Sequence, residues 1–181
     1  MALTAGRSTN CTVANAAGVT RAWATDRLSV ASVTVGSPDK DFTAITMASS
    51  KVFYEFQFLQ ETLEFTEDGA LSNDSAVFTQ KVLGIWRSWS QTDRNRLLDL
   101  YKSSPCGMVW ILELETGECI LLGINAEKPT VTAKYTVQME SSAHKTGKKF
   151  DDAHGNELVL VARSTTPASK FTPGAAGVPL T

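Results

Sequence analysis

This sequence contains few cysteines, and their arrangement excludes two classes of small protein. The 181 residues include three cysteines, Cys11, Cys106 and Cys119, with no CxxC or Cys/His pattern around them. Such wide spacing argues against a disulfide framework and against a structural zinc site. Cys119 lies in the apolar run 119–122, where a free thiol acts as a small hydrophobic group.

Long hydrophobic runs are also missing. No segment approaches about 18 consecutive apolar residues, the length that a membrane-spanning helix requires. Residues 1–7 lack the basic start and the apolar core of a secretion signal. We therefore expect a protein that is made in the cytoplasm and has no membrane partner.

The chain has no basic surplus. Its net charge is −2 and its pI is about 5.7, which argues against a general nucleic-acid binder. The acids are unevenly placed, because residues 55–68 contain five of them and no Lys or Arg. These five are Glu55, Glu61, Glu64, Glu67 and Asp68. A solvated strand face explains such a run without any special function.

Catalytic patterns are absent from the sequence. It contains no GxSxG nucleophile elbow and no phosphate-binding glycine loop. The two histidines, His144 and His154, with Asp151 and Asp152 between them, provide metal-ligand types, but their spacing is equally that of a turn between strands. The sequence therefore predicts no enzyme, no metal and no cofactor.

The most informative feature that is present is the segment 51–83. Val52, Tyr54, Phe56 and Phe58 fall on one side of an extended chain, as in a strand, and residues 75–83 are again rich in β-branched and aromatic side chains. Between them, residues 67–74 have the Gly, Asn, Asp and Ser of a turn. The pattern predicts a long hairpin that projects beyond its own core and needs a partner.

Other segments predict further strands and one helix. The expected strands are 19–25, 28–35, 42–47, 108–115, 118–123, 130–140 and 157–162. The fold class follows: mainly β, an antiparallel sandwich or barrel with one flanking helix at about residues 91–102. We expect one β domain over 19–166, an N-terminal arm over 1–18 and a C-terminal arm over 167–181, where Pro and Gly recur.

The helix has clear end signals. Ser90 with Asp93 fits an N-cap followed by an acid in the first turn, and Pro105 with Gly107 ends the segment. The spacing of Leu97, Leu98 and Tyr101 predicts an apolar stripe that faces the core.

Four tryptophans leave two interpretations open: Trp23, Trp86, Trp89 and Trp110. Exposed in a concave site, they would suit a carbohydrate-binding β-sandwich or stacking on nucleic-acid bases. Aromatic residues on strand faces and at a strand–helix junction more often anchor a core or an interface, and we favour that interpretation.

The order of elements resembles the tail-tube family of tailed phages. A long acidic hairpin, a capped helix, a hydrophobic hairpin, a strand, a polar loop and a final strand follow one another. The resemblance spans nearly the whole chain, and each motif that carries it is short. These motifs are Leu3-Thr4-Ala5-Gly6 with Cys11 and Gly18, Tyr54-Glu55-Phe56, Phe65-Thr66-Glu67, Asp93 with Leu97 and Leu98, Leu122-Gly123, and Asp152 with Gly155-Asn156-Glu157-Leu158.

The resemblance implies a self-assembling structural protein of the virion. Copies of such a protein, typically six to a ring, would join their inner strands into one barrel around a lumen, and the rings would stack into a tube that conducts DNA without binding it. Glu61, Glu64, Glu67 and Asp68 would face the lumen. Phe65, Leu71, Val77 and Phe78 would make the contacts between subunits. The two arms would clasp neighbours, and other tail or neck proteins would be further partners.

Two alternatives to a tail tube remain at this point. A neck, adaptor or tail-terminator ring protein would share the fold and differ in copy number and stacking. A carbohydrate-binding β-sandwich would need exposed aromatic residues in a concave site, whereas a tube needs a long self-complementary hairpin.

Overall fold

The structure, a computed structural model, describes residues 18–59, 61–72, 74–86, 90–132, 134–145 and 155–180. Within these ranges the fold is mainly β, with antiparallel sheets and one α-helix, which confirms the predicted class. The described strands form no closed barrel, and the finer choice between sandwich and barrel stays a prediction.

Eleven strands lie in the described ranges, arranged in three sheets. They are β1 (Val19–Asp26), β2 (Val30–Val35), β3 (Phe42–Met47), β4 (Tyr54–Phe56), β5 (Glu64–Ser72), β6 (Ser75–Trp86), β7 (Met108–Leu114), β8 (Cys119–Leu122), β9 (Gln138–Lys145), β10 (Gly155–Ser164) and β11 (Ser169–Lys170). One sheet has five strands in the order β11-β8-β7-β1-β4, and another has four in the order β5-β6-β10-β9. The third is the β2–β3 hairpin.

The first hydrophobic core joins the five-stranded and the four-stranded sheets. Its buried side chains come from β1, β7 and β8 on one side and from β6 and β10 on the other. Trp110 is fully buried there, with the Phe56 ring 5.3 Å away, and Phe56 in turn lies 5.9 Å from the Trp86 ring. Trp23 is buried on the opposite face of its sheet. Packing is thus confirmed for three of the tryptophans, and Trp89 lies outside the described residues.

The second core covers the other face of the five-stranded sheet, beneath the β2–β3 hairpin and the C-terminal segment. Phe171 and Val178 are both buried in it. The backbone N–H of Phe53 also donates to the carbonyl of Pro179 at 2.9 Å. The predicted C-terminal arm therefore packs onto its own subunit through Phe171, Val178 and Pro179.

The helix, α1 (Gln91–Ser103), begins and ends where the sequence predicts. The Ser90 hydroxyl accepts a hydrogen bond from the Asp93 backbone N–H at 3.2 Å, which satisfies one of the unpaired donors of the first turn. After a short 3₁₀ turn, Gly107 adopts a positive φ of 87°. A Cβ there would lie 2.0 Å from the Thr136 hydroxyl oxygen, so only glycine fits.

The predicted apolar stripe of the helix is wrong in its details. Leu98 and Tyr101 are exposed, Leu97 is half-buried, and the buried residue is Leu100. The Tyr101 hydroxyl instead shares a hydrogen bond of 2.7 Å with the Ser142 hydroxyl of β9. The helical spacing of apolar residues predicted the helix correctly. It did not identify the buried face, because the helix has several apolar residues at helical spacing.

The predicted hairpin over 51–83 divides between two sheets. Its first part contributes β4, which pairs with β1 in the five-stranded sheet. The hairpin itself consists of β5 and β6, and the segment predicted as its turn is largely strand, because Ser72 pairs with Ser75 across positions 73 and 74. Asp74 takes the positive φ of 61° that a two-residue hairpin loop requires.

The boundaries of β9 also differ from the prediction. The sequence predicts a strand over 130–140 and a polar loop over 141–149, whereas β9 starts at Gln138 and runs through the polar residues as far as Lys145. Hydrogen-bonded pairing with β10 decides the position, since His144 lies opposite Asn156. Residues 146–154 lie outside the described ranges.

Candidate assembly surfaces

The β5–β6 hairpin extends beyond the sheet that supports it. The neighbouring strand β10 accompanies β6 only as far as the pair Ser164 and Phe78. The pairs Ala70 with Val77, Leu71 with Ala76, and Ser72 with Ser75 continue past that point. We call residues 70–77 the ribbon tip. At about 3.3 Å per residue, its three pairs project roughly 10 Å from the sheet.

The tip carries the most exposed large apolar side chain of the described residues. Leu71 is 85% exposed and has only Ala76 opposite it. The other predicted contact residues behave differently: Phe65 packs against the first core, and Phe78 and Val77 are half-buried. Of the four predicted inter-subunit residues, Leu71 is the one that is almost fully exposed to solvent.

The free edge of β5 adds a second feature. This strand is nine residues long, and no described strand pairs with it on the side away from β6. Unpaired N–H and C=O groups along such an edge are a template for pairing with another chain. At the opposite edge of the sheet, β9 is covered in part, because the Met139 N–H donates to the Ser104 hydroxyl at 2.7 Å.

The four predicted lumen acids do not share one surface. Glu64 and Asp68 are exposed on the face of β5 that points away from the core, since side chains alternate along a strand. Glu67 is half-buried on the opposite, core-side face. Glu61 lies before the strand, exposed, in a turn with a φ of 60°.

Glu67 anchors the base of the projecting hairpin. Its carboxylate accepts a hydrogen bond of 2.7 Å from the Ala168 backbone N–H and one of 3.0 Å from the Gln80 side-chain amide. Gln80 is buried, so its side-chain amide depends on this carboxylate in the place of water. The hydrogen bond to Ala168 joins the β5–β6 hairpin to the C-terminal segment.

Replacing Glu67 by alanine should lower the free energy of unfolding by about 1–3 kcal/mol, because it leaves these donors unpaired. Urea denaturation followed by circular dichroism measures the change. The matched control is Glu64→Ala, an exposed acid of the same strand, for which we expect a change within about 0.5 kcal/mol. Equal stability of the two variants would contradict the anchoring role.

The outward face of the four-stranded sheet carries charges of both signs. Glu140 and Glu157 lie on it together with Glu64 and Asp68, and neither of the first two was among the predicted lumen residues. Its cations include Lys81 and Arg163, and Lys134 lies beside Arg163 and Glu140 at the same surface. Lys81 and Glu140 approach to 3.6 Å. Glu64 and Asp68 are the acids of this face that lie on the projecting hairpin itself.

The titratable groups with shifted pKa values lie in contacts that stabilise the fold. Burial, with the Glu113 carboxylate as a lesser cause, raises the pKa of the Cys119 thiol to about 11. A hydrogen bond of 2.6 Å to Glu118 raises the pKa of Lys170, and this pair holds β11 beside β8. The pair of Lys40 with Glu127 lowers the pKa of that carboxyl in the same way. None of these groups lies at the ribbon.

Within the described residues there is no group of three His, Cys, Asp or Glu that could hold a metal ion. His144 lies on β9, with its Nδ1 3.2 Å from the Asn156 side-chain oxygen. The other predicted ligand candidates, His154, Asp151 and Asp152, lie outside the described ranges.

The described part of the chain contains no helix with the length and apolarity to cross a bilayer. Its prominent surfaces are an exposed leucine at the ribbon tip, an unpaired edge on β5 and two exposed acids on the outward face of β5. Comparison of this chain with models of protein families, with curated protein sequences and with solved structures finds no match.

Proposed function

We propose that this chain is a structural virion protein that assembles with copies of itself into rings, and that the rings stack into the tail tube of a tailed phage. The resemblance of its element order to tail-tube proteins motivates the proposal. The tube would conduct the genome during ejection, and its partners would be sister copies, six to a ring, together with other tail or neck proteins.

The observation that carries the proposal is the nine-residue free edge of β5, which continues into a ribbon tip bearing an 85% exposed leucine. A long exposed edge is an aggregation hazard in a monomer, and pairing with another copy removes it. A protruding apolar side chain that fits a site elsewhere on a second copy makes a head-to-tail contact, and such contacts generate rings or filaments.

The exposed acids Glu64 and Asp68 on the outward face of β5 support the role as a conduit. If this part of the sheet lines the lumen, the two carboxylates repel phosphate. DNA binders do the opposite, because their Lys and Arg displace counterions from the phosphates. A weakly negative wall therefore lets DNA pass without retaining it.

A ring protein of the neck, adaptor or terminator class is the second candidate, since it would use the same edge and tip. The two differ in stacking: a tube protein forms rings that continue to stack, and a terminator stops at a single ring. Ring stacking in the purified protein separates them.

Light scattering and negative-stain electron microscopy of the purified chain test the proposal. We expect masses that are multiples of 19.5 kDa and images of rings or tubes. A particle that stays at 19.5 kDa at every concentration reached would contradict the proposal.

A further inference from the structure

A groove separates the helix from the five-stranded sheet. It has a volume of about 820 Å³, which is within the range of ligand-binding clefts, and it runs between α1 and the segment 51–57. Its apolar floor includes Phe56, Trp86 and Leu100. Trp86 and Leu100 are buried, and the Phe56 ring meets the Trp86 ring edge-on at 5.9 Å. The floor is therefore already packed before anything binds.

The strand side of the groove is a backbone edge. Residues 54–57, which comprise β4 and the residue after it, line the groove consecutively. Successive side chains of a strand point to opposite faces, so a surface to which consecutive residues contribute is the edge of the strand. β4 is the outermost strand of its sheet, and among the described strands only β1 pairs with it. The groove therefore offers main-chain donors and acceptors to an added strand.

The opposite side of the groove is one face of α1. Its lining residues recur at intervals of three and four, which brings side chains to one face of a helix: Asp93, Arg96, Asp99, Leu100 and Ser103. At 1.5 Å per residue, this face is roughly 15 Å long. The segment 51–57 spans roughly 20 Å when extended, so both sides suit an extended guest of about five or six residues.

The charge of the groove favours a cationic guest. Its charged lining consists of four carboxylates and two cations: Asp26, Glu55, Asp93, Asp99, Lys51 and Arg96. Arg21 approaches Glu55 to 3.8 Å from outside the groove, but both side chains are partly exposed, so this ion pair is weak. The ribbon of a second copy carries Asp68 and Asp74 at its tip, and repulsion between like charges disfavours it here.

We propose that the groove between α1 and β4 binds an extended, basic peptide segment of another protein as a strand added to β4. Phe56 faces the first core, whereas Glu55 lies opposite Trp23 on the other face of the sheet. In an added strand, every second side chain therefore lies beside Phe56, over the apolar floor, and the side chains between lie beside Glu55. The expected recognition sequence alternates apolar residues with Lys or Arg. The inference does not depend on the proposed assembly of copies.

Fluorescence anisotropy with defined peptide libraries tests the proposal on the purified full chain. The probe is a fluorescein-labelled heptapeptide library with lysine at alternate positions and valine, isoleucine, leucine or threonine between them. One control library has glutamate in place of lysine. A second control library keeps the lysines but is methylated on its backbone amides, which removes the main-chain donors that an added strand uses.

We expect the lysine library to bind about tenfold more tightly than either control library, because one control reverses the charge and the other removes the main-chain hydrogen bonds. Asp99→Lys, an exposed change on the groove face of α1, should weaken binding of the lysine library about fivefold. The matched control is Glu115→Lys, which makes the same charge change in an exposed turn beside Gly18, at the other end of β1. It should leave binding unchanged.

Three results would overturn the proposal. Equal binding of the methylated library would show that charge alone attracts the peptide, without strand addition. Equal weakening by Asp99→Lys and Glu115→Lys would place the binding outside the groove. Absence of binding by the lysine library, which is the result expected if a second copy covers the groove, would also exclude a basic peptide as its occupant. Assembly is measured separately by light scattering, so this inference and the proposed function can each fail alone.

Discussion

Replacing Leu71 by aspartate should abolish assembly while leaving the subunit folded. The side chain is 85% exposed in the subunit, so its loss should change the free energy of unfolding by no more than about 0.5 kcal/mol. Buried against a neighbour, a leucine contributes about 1.5–3 kcal/mol, and a carboxylate in its place adds a desolvation cost. At about 1.4 kcal/mol per tenfold, each contact weakens by roughly a hundredfold or more.

Light scattering measures the loss of assembly, and circular dichroism with urea denaturation measures the fold. The matched control is Leu28→Asp, because Leu28 is 70% exposed and lies far along the chain from the ribbon, in the turn between β1 and β2. We expect Leu28→Asp to assemble normally. Normal assembly of the Leu71 variant would remove the ribbon tip from the interface. The point change is a sharper test than deletion of residues 67–74, which would also remove the Glu67 anchor.

In the proposed tube, reversing the charge of Glu64 and Asp68 together should convert a wall that repels DNA into one that retains it. Each change to lysine alters the charge by two, so these two positions together go from −2 to +2 per copy, and a ring would repeat this change in every subunit. Both acids are exposed in the subunit, so the fold and the assembly should persist. Assembled particles are titrated with short fluorescent duplex DNA, and anisotropy reports binding.

We expect no binding by the unmodified particles at physiological salt. The variant should bind, with an affinity that falls on a log–log plot of salt with a slope of about −0.9 for each phosphate neutralised. The control, Asp39→Lys with Glu115→Lys, makes the same net-charge change in exposed turns elsewhere. Equal DNA binding by the control would show that total charge decides, and absence of binding by the Glu64/Asp68 variant would contradict the lumen assignment.

Local chemistry made the helix and the shortest hairpin predictable. Ser90 and Gly107 mark the two ends of α1 through a cap hydrogen bond and a positive φ, both of which depend on residues close by. The reversal at Thr116-Gly117 joins β7 to β8 in the same way. Where the deciding interactions are local, sequence position and structure agree.

The turn of the β5–β6 hairpin was predicted over residues 67–74, too early in the chain, because the end of β5 is exposed on both faces. Residues 68–72 have no core to enforce alternation, so their Gly, Asp and Ser content predicts a turn. Cross-strand hydrogen bonds nevertheless continue the ladder as far as Ser72 and Ser75. The sequence also could not show that Glu67 points inward, because its hydrogen-bond partner Ala168 is distant in the chain.

Tertiary packing decided the rest of the fold. Phe171 and Val178 stand alone among Pro and Gly, and they are buried only because the β2–β3 hairpin leaves room for them on the five-stranded sheet. The groove that lies between α1 and β4 could not be predicted from the sequence either, because the side chains of this helix and this strand show no shared pattern.

Electron cryomicroscopy of the assembled protein tests most directly whether this subunit completes its bonding through sister copies. We predict that the free edge of β5 is paired and that Leu71 is buried, both against a neighbouring copy. An assembly in which the ribbon touches only its own subunit, with β5 still unpaired, would contradict that claim.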